Sequence, residues 1–310
     1  MIFKFKSLLL SILSALVTIT LLNIYISQNA DYNKVVLNNW SCSAGRRQSP
    51  ITLRADNSTQ CDKYNLVNDN YKSFDNVILT FNDNLLEITD RSNYIAGTNN
   101  KGFVTFSYDG YMYKFDLEKI VVHVPSEHQV EGYKPDIEVE YIHKKDLNYV
   151  STVNVNRKLP DVSEYLVVST LHAVNGTHSD NDFLENLQNY FYSTGITNNY
   201  LGMNLDLLSS GIMRSKRNFF YKGSDTQYPC NESHFRIVIA DIFKVPQTTV
   251  DFYSATYKSK YLGETFAKSI APLNGREIYR NFYANKTEFN SSNKITINLF
   301  ICFLSFLILF

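Results

Sequence analysis

With 310 residues, 44% hydrophobic and 14% aromatic content, the chain has ample apolar surface for a packed core, which excludes an intrinsically disordered protein. Its 30 basic and 30 acidic residues balance, and setting aside Lys4, Lys6 and Lys294, which lie in or beside apolar terminal segments, leaves 27 against 30. A body of net charge −3 argues against nucleic acid or a sulfated polysaccharide as the main partner, because both demand a basic surface.

The N-terminus carries Lys4 and Lys6 ahead of an apolar run over residues 8–26. That order reads as a signal peptide, and the length of the run also suits a retained signal anchor. From there to residue 282 the sequence has no internal repeat and no linker, so residues 31–282 read as one domain. Its 22 Tyr and 21 Phe favour pleated, half-buried strands over helices. Strands are expected at 77–81, 103–106, 120–124, 137–142, 165–174 and 235–240. One helix is expected: Ser179 and Asp182 form a capping-box-like start, Phe183, Leu184, Leu187, Tyr190 and Phe191 share a face, and Gly195 is the stop. The fold class that follows is mainly β (α+β).

At the other end, residues 283–293 read as a linker whose Ser291, Ser292 and Asn293 precede an apolar tail over 294–310. Small residues before a terminal apolar tail suggest GPI attachment, with a transmembrane helix as the alternative. Asn-x-Ser/Thr sequons at Asn39, Asn57, Asn175, Asn231, Asn285 and Asn290 agree with passage through the secretory pathway and display at the cell surface. The cysteines are Cys42, Cys61, Cys230 and Cys302, the last of them in the tail. In an oxidising compartment the remaining three leave one pair and one orphan, and counting does not say which.

Four segments carry a family resemblance. They are Cys42-Ser43-Ala44-Gly45-Arg46-Arg47-Gln48-Ser49-Pro50-Ile51, then His123-Val124-Pro125-Ser126-Glu127-His128-Gln129-Val130-Glu131-Gly132, then Glu138-Val139-Glu140-Tyr141-Ile142-His143, and last Gly223-Ser224-Asp225-Thr226-Gln227-Tyr228-Pro229-Cys230-Asn231-Glu232. In this order they resemble the Gln-Ser-Pro-Ile, His-x-x-Ser-Glu-His-x-Val-x-Gly, Glu-x-His-Leu-Val-His and Gly-Ser-Leu-Thr-Thr-Pro-Pro-Cys-x-Glu stretches of the α-carbonic anhydrases. The resemblance implies a single domain built on a large, mostly antiparallel twisted sheet with short peripheral helices. It also implies a Cys42–Cys230 disulfide, which leaves Cys61 as the orphan.

A hydratase of that family needs zinc held by three imidazoles, two from one strand at i and i+2 and one from the next strand. The resemblance places Val121, His123 and Glu140 at those positions, so only His123 remains as an imidazole and Val121 offers no donor atom. His128 and His143 match structural positions, and His172 and His178 lie in or after a later strand. A set rebuilt from His123, Glu140 and His234 is the one alternative. Thr226 and Glu127 match the family's hydroxyl gate, and Glu138 matches the carboxylate that braces the third imidazole.

The substrate wall is altered as well. Asp225 stands for a leucine, His234 for a valine and Arg236 for a tryptophan, while Val168 keeps apolar character. Asn84 stands near the proton-shuttle position and cannot transfer protons near neutrality. A buried arginine requires a counter-charge, and Asp225 is the expected partner. The expectation is a membrane-tethered carbonic-anhydrase-related protein with no cofactor, which binds an unidentified protein or small molecule. The alternative is an active carbonate dehydratase or esterase with an atypical zinc site.

Overall fold

The structure is a computed structural model, and it describes residues 42, 45–71, 74–82, 85–90, 102–151, 161–175, 179–180, 182–194, 200–203, 217–260 and 267–283. Both apolar ends, Asn39, Asn84, His178, Gly195, Asn285, Asn290 and Cys302 lie outside these residues. Among the described residues no helix is long and apolar enough to cross a membrane.

In chain order the strands are β1 (Thr52–Leu53), β2 (Thr59–Gln60), β3 (Tyr64–Tyr71), β4 (Phe74–Asn82), β5 (Leu85–Asp90), β6 (Gly102–Tyr108), β7 (Tyr111–His123), β8 (Gln129–Val130), β9 (Ile137–Ser151) and β10 (Tyr165–Val174). Helix α1 (Phe183–Thr194) follows, then β11 (Tyr200–Met203), β12 (Asn218–Gly223), β13 (His234–Val245), helix α2 (Gln247–Lys260) and β14 (Ile278–Arg280). A 12-stranded sheet runs β11-β4-β5-β7-β9-β10-β13-β12-β14-β2, with β6 and β3 branching from β7, and β1 pairs with β8 apart from it. Within the large sheet β10–β13 and β14–β2 are parallel and the other described pairings antiparallel. The mainly β, mostly antiparallel expectation therefore holds.

Side chains alternate across a strand, and here the alternation separates two environments. Ile120 and Val122 of β7, Val139 and Tyr141 of β9, Leu166 and Val168 of β10 and Ile237 of β13 enter the main core. The intervening residues, Val121, His123, Glu138, Glu140, Val167, Ser169 and Arg236, occupy the opposite face and are buried there. Two smaller apolar clusters share that second face. One holds Leu85, Val121, Ile142 and Val167, and the other includes Leu171, Phe219, Tyr221 and Val238.

Five of the six expected strands lie within observed ones, β10 has the expected bounds, and the strand expected at 120–124 overruns the end of β7 by one residue. Helix α1 begins at Phe183 with Phe183, Leu184, Leu187 and Phe191 buried, as its spacing requires. Helix α2 was not expected, because Thr248, Thr249, Val250, Phe252 and Tyr253 are β-branched or aromatic and weak helix formers. Its tertiary contacts override that preference. Val250, Tyr253 and Tyr257 are buried at helical spacing, and the Tyr253 hydroxyl donates to the Leu184 carbonyl of α1 at 2.9 Å. The Tyr257 hydroxyl reaches the sheet, donating to the Val122 carbonyl and accepting from the Leu86 N–H at 3.1 Å.

Three fully buried histidines contribute opposed effects to the pH response of this scaffold. His143 donates from Nδ1 to the Leu166 carbonyl (3.1 Å) and accepts the Tyr71 hydroxyl at Nε2 (2.8 Å), so it is held neutral, and burial lowers its pKa to about 4. Burial likewise lowers His172 to about 3. His128 is the opposite case. Its Nδ1 donates to Glu138 (2.6 Å), and its Nε2 donates to the Tyr221 hydroxyl (2.7 Å), whose own proton goes to Ser49. Burial opposes the resulting imidazolium, yet Glu138 outweighs it and raises the pKa to about 10.

The unfolded chain binds more protons than the folded one below pH about 6.5 through His143 and His172, and fewer above it through His128. Stability should therefore fall on both sides of roughly pH 6.5. Urea midpoints measured between pH 4 and 9 check this, and a midpoint that keeps rising from pH 7 to 9 would contradict the His128 assignment.

Candidate functional site

The polar face is assembled by register. Val121 lies opposite Glu140 and His123 opposite Glu138 across β7–β9, and Glu140 faces Ser169 across β9–β10. Arg236 pairs with Val167 across β10–β13 and with Tyr221 across β12–β13. Arg236 is 0% exposed and His123, Glu140 and Val121 are each 1% exposed, so water solvates none of these charges.

Arg236 finds its counter-charge in Glu140. Its Nη1 donates to Glu140 Oε1, while Nε and Nη2 both donate to the Ser224 carbonyl, at 3.0 and 2.7 Å. The expected pairing with Asp225 is thereby corrected. Asp225 is half-buried on the loop after β12, where its Oδ1 accepts the Gln227 N–H at 3.0 Å. The carboxylate that shares the sheet face with Arg236 is Glu140. Burial raises a carboxyl pKa, but Arg236 and then His123 overcome that and hold Glu140 at about 2.

His123 stands between two carboxylates, with Nε2 3.4 Å from Glu140 Oε2 and Nδ1 3.5 Å from Glu127 Oε1. Both contacts are ion pairs longer than a well-formed hydrogen bond, so both ring nitrogens are buried without a hydrogen-bond partner. Burial alone would lower its pKa, and the Glu127 and Glu140 charges raise it to about 9. Glu127 accepts the Lys268 N–H at Oε1 (2.9 Å), while its Oε2 and Thr226 Oγ1 are both buried and unpartnered. The gate expected between Thr226 and Glu127 is therefore not joined by a hydrogen bond in this structure.

Glu138 performs a different task from the expected one. Residue 140 is not an imidazole, and Glu138 instead accepts the Glu127 and His128 N–H groups (2.9 Å each), the Ser126 hydroxyl (3.1 Å) and the His128 ring. It fixes the turn that presents Glu127. His234 is also set aside from the central cluster: its Nδ1 donates to the Asn231 carbonyl at 3.1 Å and its ring stacks on Tyr165 at 4.8 Å. Among the described residues the donor atoms that converge within 4.8 Å are those of His123, Glu127 and Glu140, and of His128, Glu138 and Glu140. The rebuilt set with His234 is not among them.

Val168 is corrected as a pocket residue. It points into the main core, and its neighbour Val167 takes the wall position beside Val121 and Ile142. A one-residue slip in a strand exchanges the two faces, which explains the error. Lys268 was missed altogether, because nothing in its local sequence marks it. Its Nζ donates to Gln48 Oε1 (3.1 Å) and lies 3.4 Å from Cys230 Sγ, and burial lowers its pKa to about 8 despite the Glu127 charge.

The Cys42–Cys230 disulfide forms, with Cα atoms 5.2 Å apart, and Cys61 is free and half-buried. Hydrogen bonds from Arg47, Gln48 and Ser49 to Glu232, Cys230 and Ser224 run beside it and hold the loop that carries Asp225 and Thr226. Of the sequons, Asn57, Asn175 and Asn231 are exposed.

Comparison with known proteins identifies the fold around this site, with residues 35–282 matching the eukaryotic-type carbonic anhydrase family. The chain belongs to that family. Among solved structures it resembles dioscorin complexed with ascorbate, at 20% identity over 81% of this chain and 95% of that one, with a TM-score of 0.58. A Photobacterium profundum α-carbonic anhydrase has 21% identity over 77% of this chain and 91% of that one, with a TM-score of 0.56. A carbonic anhydrase from Chlamydomonas reinhardtii in complex with acetazolamide has 19% identity over 78% and 93%, with a TM-score of 0.58. At these identities the likeness is one of fold. No curated protein matches the chain.

Proposed function

We propose that this carbonic anhydrase domain lacks CO₂ hydratase activity and serves as a binding or scaffold domain, tethered to a membrane at the cell surface. The observation that carries the reading is the buried Arg236–Glu140 pair beside Val121. The family's zinc chemistry requires three neutral donors around one cation. Here Val121 has no donor, Glu140 is already neutralised, and a fixed guanidinium stands next to the place a metal would take, so these residues do not fit that zinc. Asp225, His234 and Arg236 also remove the apolar wall that CO₂ needs. The dioscorin structure, a fold relative complexed with ascorbate, supports small-molecule binding on this scaffold. For localisation the support is the disulfide, the exposed sequons and the two apolar ends of the sequence.

A second reading rests on the convergence of His123, Glu127 and Glu140 within 4.8 Å, which suits an atypical metal site with hydrolytic activity. Elemental analysis of the secreted protein with a CO₂ hydration assay separates the two. The proposal expects substoichiometric zinc and hydration at the buffer rate, and stoichiometric zinc with sulfonamide-sensitive hydration would overturn it. Restoration needs three changes. Val121→His with Glu140→His leaves Arg236 without its carboxylate, so zinc uptake is expected only when Arg236→Trp is added.

A further inference from the structure

We infer that Arg236 is the resident cation of this site, a guanidinium that takes the electrostatic place of a metal ion and keeps a latent divalent-metal site, formed by His123, Glu127 and Glu140, from filling. This rests on the metal-free reading above and adds a cause to it.

Three observations converge on the inference. First, the donor atoms of His123, Glu127 and Glu140 lie within 4.8 Å of one another, and both His123 nitrogens and Glu127 Oε2 have no hydrogen-bond partner although these residues are 1–2% exposed. Buried polar atoms in folded proteins nearly always have partners, so such a cluster marks a place that is chemically unfinished. Second, one imidazole and two carboxylate oxygens are borderline-to-hard ligands suited to Zn²⁺ or Co²⁺. Third, the cation actually present is covalently attached. Arg236 cannot lose its proton in a protein, is 0% exposed, and uses three nitrogens on Glu140 and the Ser224 carbonyl.

The seat for Arg236 is built into the sheet. A Cβ at Gly223 would stand 3.0 Å from Arg236 Cγ, 2.8 Å from Tyr221 Cε2 and 2.3 Å from Ser49 Oγ, so the glycine leaves the space its stem needs. A divalent ion bound to Glu140 would have to displace the guanidinium from its carboxylate or lie against it, and like charges in a buried site repel strongly. Replacing Arg236 by a neutral side chain of similar length removes both obstacles.

The test uses the full chain and Co²⁺ as the probe, read by its visible absorption and by the melting temperature. Wild type is expected to ignore Co²⁺. Arg236→Met is expected to acquire a visible Co²⁺ spectrum and a melting temperature that rises with Co²⁺, and Arg236→Met with His123→Ala is expected to lose both. An Arg236→Met chain that folds only when Co²⁺ is present supports the inference equally. If that chain folds neither with nor without Co²⁺, Arg236→Lys decides. A Lys chain that folds and ignores Co²⁺ supports charge as the device, and one that fails like the Met chain overturns it.

Two outcomes overturn the inference directly. Wild type that takes up Co²⁺ through His123 shows that Arg236 excludes nothing. Arg236→Met that folds and stays indifferent to Co²⁺ removes the latent site, while leaving the absence of hydratase activity untouched.

Discussion

Glu140→Gln is expected to lower the stability of the domain by about 3–5 kcal/mol, because it strips a buried arginine of its charge partner. For a domain of this size that corresponds to a melting temperature lower by roughly 6–20 °C. The amide keeps the shape of the carboxylate but not its charge, and Arg236 has no second carboxylate in contact, since its other bonds go to the neutral Ser224 carbonyl. Nor can the arginine relieve itself by deprotonation: Glu140 raises its pKa against the effect of burial.

The reverse truncation should cost less. With Arg236→Met, Glu140 still has His123 at 3.4 Å and can share its proton. The double variant Glu140→Gln with Arg236→Met removes both charges, so the two single losses should exceed the double loss by about 1–3 kcal/mol. Urea midpoints at unchanged slope supply the three values. Strict additivity would mean that the contact contributes nothing and would undo the assignment of the pair.

Opening the disulfide with Cys42→Ser is expected to lower stability by roughly 4–5 kcal/mol in the chain-entropy account, because the bond closes a loop with a sequence separation of 188. The damage should be directed as well as general. Cys230 ends the loop that carries Ser224 and Thr226, and Ser224 is the carbonyl that Arg236 holds. Loosening one side of the loop therefore loosens the seat of the arginine. Amide exchange at Ser224 and Asp225 should accelerate more than at α2, which is tied to α1 and β7 and not to this loop. Cys61→Ser is the control and should leave the melting temperature nearly unchanged, because this half-buried thiol is free among the described residues. Equal losses for Cys42→Ser and Cys61→Ser would mean that the disulfide does not form in the protein as made.

The scaffold was legible wherever a local pattern carried it. Residues 165–174 carry apolar side chains on both faces, Leu166 and Val168 on one and Val167 and Leu171 on the other, because both faces of β10 are buried, and the run of Val and Leu announces that. The amphipathic stripe of α1 was equally plain. Helix α2 was not, since its β-branched and aromatic residues argue locally for strand and only the contacts of Tyr253 and Tyr257 decide otherwise.

The site divides in the same way. Val121, His123, Glu138 and Glu140 were legible through the family resemblance, and the β7–β9 register then places them on one face. The partner of Arg236 was not, because the choice between Asp225 and Glu140 depends on which way a loop carboxylate turns. Sequence alone also put Val168 where Val167 belongs, an error of one position that reverses the side of the sheet. Lys268 enters through a segment without regular structure, 141 residues along the chain from the Glu127 it caps, and no periodicity points there.

The bond between residues 140 and 236 also acts as a ratchet on how this sequence can change. Glutamate and arginine were each read as departures from the residue the family would supply, yet in the fold each is the reason the other is tolerated. A histidine returned at position 140 strands the guanidinium, and a tryptophan returned at 236 leaves Glu140 and Glu127 to share the single His123 imidazolium. Either single step passes through a protein carrying an uncompensated buried charge. On the metal-free reading proposed above, the route back to a metal enzyme therefore descends before it climbs, and the arginine tends to be kept.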